Sequence, residues 1–211
     1  MPAALLANVI TDTTDWLADF SANWWFLAII FVIAFFDSVV PIVPSETMVI
    51  IGGVAAGQGE HFLLTVIAAG AVGAFLGDNT AYLIGSRMSG FIQRRADKRP
   101  TLQRRLDWAR LQIRLRGGLL LVTARFIPGG RTALTVTSGI THQDKRWFMG
   151  WVALAVSIWA TYAALLGFVG GKAFEDNHTL AFLVAFGAAI GITLLIELVR
   201  HLRNRQRLSA Q

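Results

Sequence analysis

Ala124-Arg125-Phe126-Ile127-Pro128-Gly129-Gly130-Arg131-Thr132 is the stretch that decides how this chain folds. Two arginines stand in otherwise apolar sequence, with Pro128, Gly129 and Gly130 between them. A charge at mid-bilayer depth costs about 3 kcal/mol on insertion scales, so its presence needs a reason. Proline and glycine between the charges predict a broken helix rather than a straight span. Irregular backbone at membrane depth is tolerated only where it is buried in protein or lines a wet cavity. A counterpart lies upstream, Asp37-Ser38-Val39-Val40-Pro41-Ile42-Val43-Pro44-Ser45-Glu46-Thr47, with the same architecture and the opposite charge. The two segments predict a buried polar site made by two broken helices.

Composition agrees with a membrane setting. The 211 residues are 55% apolar and 15% charged, which excludes an ordinary soluble domain and indicates one integral membrane domain. With no cysteine in the chain, thiol catalysis, disulfides and thiolate metal sites are excluded. The net charge of +6 would suit nucleic acid if it were spread over a surface, but ten of the nineteen Lys and Arg lie between Arg87 and Arg116 and four more between Arg200 and Arg207. Basic residues bunched beside spans mark cytoplasmic loops, so no nucleic-acid partner is expected. Asp12, Asp15 and Asp19 occupy an N-terminal stretch without Lys or Arg. Residues 1–23 are therefore expected to form an interfacial helix on the outer surface rather than a secretory signal.

Trp147–Gly171 and Leu180–Val199 each meet the length of about 20 residues that a span requires. Phe62–Gly85 is a third candidate, interrupted by Asp78. The stretches 24–57 and 117–140 are broken near their middles, and re-entrant hairpins fit them better than continuous spans. Placing the basic segments inside gives a hairpin from outside, a span inward, a basic linker, a hairpin from inside, a span outward and a span inward. The expected layout is repeat 1 over 24–85, a cytoplasmic linker over 86–116, repeat 2 over 117–171, a C-terminal transmembrane helix over 180–199 and a cytoplasmic tail over 200–211. Pro100 suits a first helical turn, and Leu102, Leu106, Ala109 and Ile113 then share one stripe of a linker helix. Glu46-Thr47 and Arg131-Thr132 stand 85 residues apart at matching points of the two halves. The fold class expected is all-α, with two inverted repeats, the architecture of many secondary transporters.

If the hairpin tips meet, Asp37 and Glu46 face Arg125 and Arg131. Guanidinium groups match a phosphate in bidentate fashion, and backbone N–H groups around Gly129 and Gly130 at a broken-helix N-terminus add anion affinity. Burial favours the neutral form of a carboxyl and a neighbouring arginine favours the ionised form, so Asp37 and Glu46 are candidate proton carriers. A purely structural network of four mutually neutralising charges is the bland alternative. Asp78, in Gly77-Asp78-Asn79-Thr80-Ala81-Tyr82-Leu83-Ile84-Gly85, either joins the central site or bonds the neighbouring hairpin. His61, His142, His178 and His201 have no i,i+4 partner of zincin type, so neither a metal site nor a cofactor is expected. Gly53/Gly57, Gly73/Gly77 and Gly187/Gly191 are GxxxG spacings, which most simply mean close helix packing and leave a homodimer open.

Three linked motifs carry a family resemblance: Phe-x-Asp-x-x-x-Pro-x-x-Pro-x-Glu (Phe35–Glu46), Gly-Asp-x-x-x-Tyr-x-x-Gly (Gly77–Gly85) and Arg-Phe-x-Pro-x-x-Arg (Arg125–Arg131). Together and in this order they resemble the DedA family, of the SNARE-associated or VTT-domain membrane proteins. The resemblance covers roughly residues 25–170. It implies a bacterial inner-membrane protein with two opposed re-entrant hairpins. It also implies that two acidic residues and two arginines are required, by position Asp37, Glu46, Arg125 and Arg131. Asp37 stands where many members carry Glu. Members are implicated in moving phospholipids or undecaprenyl phosphate across the bilayer, with proton-motive force as driver. The expected function is thus a proton-linked transporter or flippase of a phosphate-headgroup lipid. A small-anion transporter and an uncoupled scramblase are the alternatives. An enzyme is not expected, since no nucleophile and base accompany the arginines.

Overall fold

The computed structural model describes residues 23–40, 45–125, 127 and 129–173. Among them the chain is helical throughout its regular elements: α1 (Trp25–Val39), α2 (Ser45–Gly57), α3 (Leu63–Ala96), α4 (Pro100–Arg116), α5 (Leu119–Ala124), α6 (Gly130–Ile140) and α7 (Lys145–Ala173). The expected N-terminal helix, the Leu180–Val199 span and the 200–211 tail lie outside the described residues.

Two helices are long and apolar enough to cross a membrane, α3 with 34 residues and α7 with 29. The 15 residues of α1 and 13 of α2 rise about 1.5 Å each, so neither alone crosses a hydrocarbon core about 30 Å thick. Residues pointing away from the protein are as apolar as those inside it. On α3 the outer face shows Val72, Leu76, Leu83 and Ile84, and on α7 it shows Leu154, Ile158, Leu165 and Val169. A helix that is apolar all round belongs in a core or in lipid, and among the described residues nothing covers these faces.

The inner faces are built from small residues. Gly73 and Gly77 of α3 sit against the Phe31 and Phe35 carbonyls of α1, both positions advancing by four, so α1 and α3 run parallel. Gly53 and Gly57 of α2 meet the Ala164 and Phe168 carbonyls of α7 in the same way, while Gly167 and Gly171 of α7 meet those of Ile50 and Val54. Thus α2 is parallel to α7. The short connection 58–62 turns α3 back against α2, and so against α7. The α6–α3 contact repeats the α2–α7 contact. Gly139 lies on the Tyr82 carbonyl as Gly53 lies on Ala164, and Gly85 lies on Val136 as Gly167 lies on Ile50. The shift is 86 residues in the short helix (Gly53 to Gly139) and 82 in the long one (Tyr82 to Ala164). Hydrocarbon does not drive helices together as water does, so van der Waals contact at such small-residue seams carries the association. Two of the three GxxxG pairs are therefore consumed within the chain, and Gly187/Gly191 lies outside the described residues.

Larger side chains fill the space between the seams. Phe26, Ile30 and Ala34 of α1 form one stripe at four-residue spacing and pack with Val49, Ile50 and Val66. Tyr82 stacks on Phe148 with ring centroids 4.6 Å apart, and its hydroxyl donates to the Gln143 carbonyl at 2.6 Å.

Two boundaries differ from expectation. Asp78 does not interrupt its span, because a single carboxylate with a partner leaves the backbone ladder intact. The helix that carries Asp78 also runs on into the basic segment expected to form the linker. With no proline between Gly85 and Ala96, α3 continues through Arg87 and ends with Arg94 and Arg95 in its last turn, where cations complement the helix dipole. The second half of the linker is α4, with Pro100 in its first turn and Leu106 and Ile113 buried on the expected stripe.

Candidate functional site

Both broken segments end in helix termini that meet. Residues 41–44 lie between α1 and α2, outside the described residues. In the second segment α5 stops at Ala124 and α6 starts at Gly130. Pro128 explains the stop, since it has no N–H to donate and disfavours α backbone at Ile127. Gly129 then takes φ +70°, a left-handed conformation that glycine adopts without strain.

The first turn of α6 docks on the last turn of α1. Arg131 donates from Nη2 to the Asp37 carbonyl at 2.5 Å and pairs with Asp37 Oδ2 at 3.1 Å. Thr132 Oγ1 donates to the Ser38 carbonyl at 3.3 Å. The last carbonyls of a helix have no intrahelical donor, so a cation and a hydroxyl from the other half satisfy the end of α1. Ser45 at the start of α2 donates from Oγ to Asp37 Oδ2.

Asp78 sits one layer deeper, on α3. Arg125 Nη1 and Nη2 both donate to Asp78 Oδ2, at 2.9 and 3.1 Å, and each side chain is only 2% exposed. Arg125 also lies over the Trp159 ring of α7, 5.4 Å from its centroid. Arg131 Nε stands 3.8 Å from Asp78 Oδ1, linking the two pairs. Asp78 Oδ1 and Arg125 Nε have no hydrogen-bond partner among the described residues. Two arginines and two aspartates thus form one neutral cluster contributed by α1, α3, the α5 end and α6.

This arrangement differs from the expected one in three respects. Asp37 pairs with Arg131, and the carboxylate at Arg125 is Asp78 rather than Glu46. Glu46 instead accepts from the Tyr162 hydroxyl of α7, and among the described residues no Lys or Arg pairs with it. The reason is the reciprocal packing: α2 lies along α7, which carries Glu46 away from the α3–α6 seam. The N–H of Gly130 is already donated to the Ile127 carbonyl at 2.8 Å, so it is not free for an anion in this state. Gly129 is exposed, and a side chain there would meet nothing within 4 Å. Residues not singled out from sequence also belong here, namely Ser38, Ser45, Thr132, Trp159 and Tyr162. Polar or amphipathic groups inside apolar helices were the available signal for Trp159 and Tyr162. Nothing in the pattern connected them to partners more than thirty residues away.

Lysine cannot reproduce the Arg125 contacts, because it offers a point charge rather than a planar fork that can donate twice and stack on an indole. Arg125→Lys is expected to lose nearly as much activity as Arg125→Ala in a lipid-movement or growth-complementation assay. Activity for the lysine variant close to that of the unaltered protein would remove the geometric requirement.

These features define a helical membrane protein with a neutral, buried charge cluster at the junction of its broken helices. The chain belongs to the VTT-domain family: the VTT domain matches residues 43–169, a range that includes Glu46, Asp78, Arg125 and Arg131. It is similar to the inner membrane protein YohD of Escherichia coli K12, 30% identical over 127 residues. That match takes in 60% of this chain and 65% of YohD, just under two thirds of that relative. It is also similar to the protein DedA of the same strain, 24% identical over 202 residues covering 90% of this chain and 91% of DedA. An uncharacterized membrane protein of Synechocystis is 26% identical over 196 residues, covering 90% and 89%. No solved structure matches the chain.

Proposed function

We propose that this protein is a proton-linked transporter of phosphate-headgroup lipids, undecaprenyl phosphate being the favoured substrate, in a bacterial cytoplasmic membrane. The carrying observation is the Asp37–Arg131 pair, at 3.1 Å and with side chains 15% and 12% exposed, at the edge of a cluster whose inner pair is closed. A phosphate and a carboxylate compete for the same guanidinium. Protonation of Asp37 frees Arg131 for the phosphate, and deprotonation returns the arginine to Asp37. Arg125 and Asp78 hold the α3–α5 junction behind that exchange. Glu46, held by Tyr162, is a second carboxyl able to carry a proton, and Asp78 is a third. The exchange needs no nucleophile, so the protein acts as a carrier rather than an enzyme.

The repeated α2–α7 and α6–α3 seams favour two inverted repeats. Each short arm lies on the long helix of the other half, and the arms run in opposite directions. Arms too short to cross the bilayer fit re-entrant hairpins, which would open the central cluster to one face at a time. The bunched Lys and Arg favour a cytoplasmic position for the α3–α4 connection.

The test is lipid movement in proteoliposomes of the purified full chain, with labelled undecaprenyl phosphate and a labelled phospholipid, with and without a proton gradient. Arg131→Ala is expected to abolish movement. Asp37→Asn, whose amide cannot ionise to take Arg131 back from the phosphate, is expected to lose gradient-driven movement. Full activity in Arg131→Ala would rule the mechanism out. Movement of free phosphate and of no lipid would favour the small-anion reading.

A further inference from the structure

A groove of about 680 Å³ separates α4 from the α5–α6 pair. Each helix gives it one stripe: Trp108, Gln112 and Arg116 from α4, Ala124 from α5, and Gly130 and Ala133 from α6. Leu120, Leu134 and Thr137 complete these faces, and the small residues Ala109, Ala124, Gly130 and Ala133 among the lining leave the space open. Larger residues at 124, 130 and 133 would close it. The volume lies within the range of ligand clefts, about 300–1,000 Å³.

Its surroundings indicate what it holds. Beside the buried Leu106 and Ile113, α4 carries a second apolar stripe, Trp108, Leu111 and Leu115, which is 64%, 51% and 70% exposed. Leu119, at the start of α5, is 65% exposed. An amphipathic helix with exposed Trp and Leu between arginines lies in the membrane interface, apolar side chains among the lipid chains and cations at the headgroups. The groove therefore adjoins a leaflet rather than bulk water. Arg116 places a guanidinium in its wall, and Gln112 is the other polar side chain there long enough to reach a headgroup. At the inner end, Ala124 and Gly130 line the groove, and they are the chain neighbours of Arg125 and Arg131.

We propose that this groove is a holding site for a phosphate-headgroup lipid of the adjoining leaflet, with its hydrocarbon chain along the small and apolar lining residues and its phosphate on Arg116. The headgroup identity rests on the transport reading above; the chain site rests on the groove itself. The lipid waits here in the leaflet that α4 faces, one helix end away from the arginines of the cluster.

The experiment is photolabelling of the full chain in phosphatidylcholine vesicles, using a phosphatidic acid with a diazirine in its acyl chain, with adducts mapped by mass spectrometry. Adducts are expected on 108–116, 120–124 and 130–137, suppressed by excess unlabelled phosphatidic acid but not by diacylglycerol or inorganic phosphate. Arg116→Ala is expected to weaken labelling about tenfold, the scale of one charge-assisted hydrogen bond. Ala133→Trp should block the groove, whereas Leu76→Trp, on the outer face of α3, should leave it labelled. A thermal transition like that of the unaltered protein shows that each variant is folded. Adducts spread evenly over the outer faces of α3 and α7, or undiminished in Ala133→Trp, would overturn the site, and equal competition by diacylglycerol would overturn the role of Arg116. Groove labelling without any lipid movement would sink the transport reading alone, and movement without groove labelling would sink this inference alone.

Discussion

Asp78→Ala is expected to lower the unfolding free energy by about 3–5 kcal/mol, the cost of leaving one member of a buried ion pair uncompensated. The orphaned group is Arg125, 2% exposed, whose Nη1 and Nη2 both spend their bonds on Asp78 Oδ2. Nearby Asp37 cannot take over, because it is already engaged by Arg131 and Ser45. The stacking partner Trp159 offers only a π face. Unfolding of the purified protein in mixed micelles or bicelles measures the loss. The double variant Asp78→Leu with Arg125→Met removes both charges and is expected to recover most of the stability, since apolar replacement of a buried pair is commonly neutral or better. It should remain inactive in lipid movement, which would separate the structural part of the pair from the functional part. A loss below about 1 kcal/mol for Asp78→Ala would mean the pair behaves like an exposed surface bridge and that water reaches it.

Gly53→Val and Gly139→Val are each expected to destabilise by about 3 kcal/mol or more, at the upper end of what overpacking costs. A Cβ at Gly53 would run into the Ala164 carbonyl, and one at Gly139 into the Tyr82 carbonyl. Backbone cannot rotate away as a side-chain tip can, so the helices must separate along a seam held by contact alone. The second expectation is that the two costs are similar, because the two seams repeat one geometry. Gly150→Val is the comparison within the same chain, since a Cβ there meets nothing within 4 Å. Its effect should be confined to helix propensity, about 1 kcal/mol or less and in the stabilising direction. Equal tolerance of valine at positions 53, 139 and 150 in the same unfolding assay would refute the close packing of the seams.

The membrane setting, the helical class and the break between Arg125 and Arg131 were legible from local properties of the chain. Hydropathy, the placement of cations and the conformational limits of Pro128 and Gly129 act over a few residues, so they are written in the order of the sequence. The same holds for Pro100 and the buried Leu106–Ile113 stripe of α4. The continuation of α3 to Ala96 was hidden because basic sequence was read as a break, whereas charges at a helix C-terminus prolong it as readily as they end it.

What the sequence by itself determined was which residues needed burial and neutralisation: Asp37, Glu46, Asp78, Arg125 and Arg131 are charges in apolar surroundings whatever the fold. Which carboxylate meets which arginine was decided only by tertiary structure. Pairing depends on the crossing of helices more than forty residues apart in the chain, and that crossing is set by glycine seams. Because α2 lies along α7 and α6 along α3, Asp78 comes to Arg125, Asp37 caps its own helix end against Arg131, and Glu46 goes to Tyr162. Charge complementarity alone would have allowed any of the alternatives; the close approach of backbone at Gly53, Gly85, Gly139 and Gly167 leaves one.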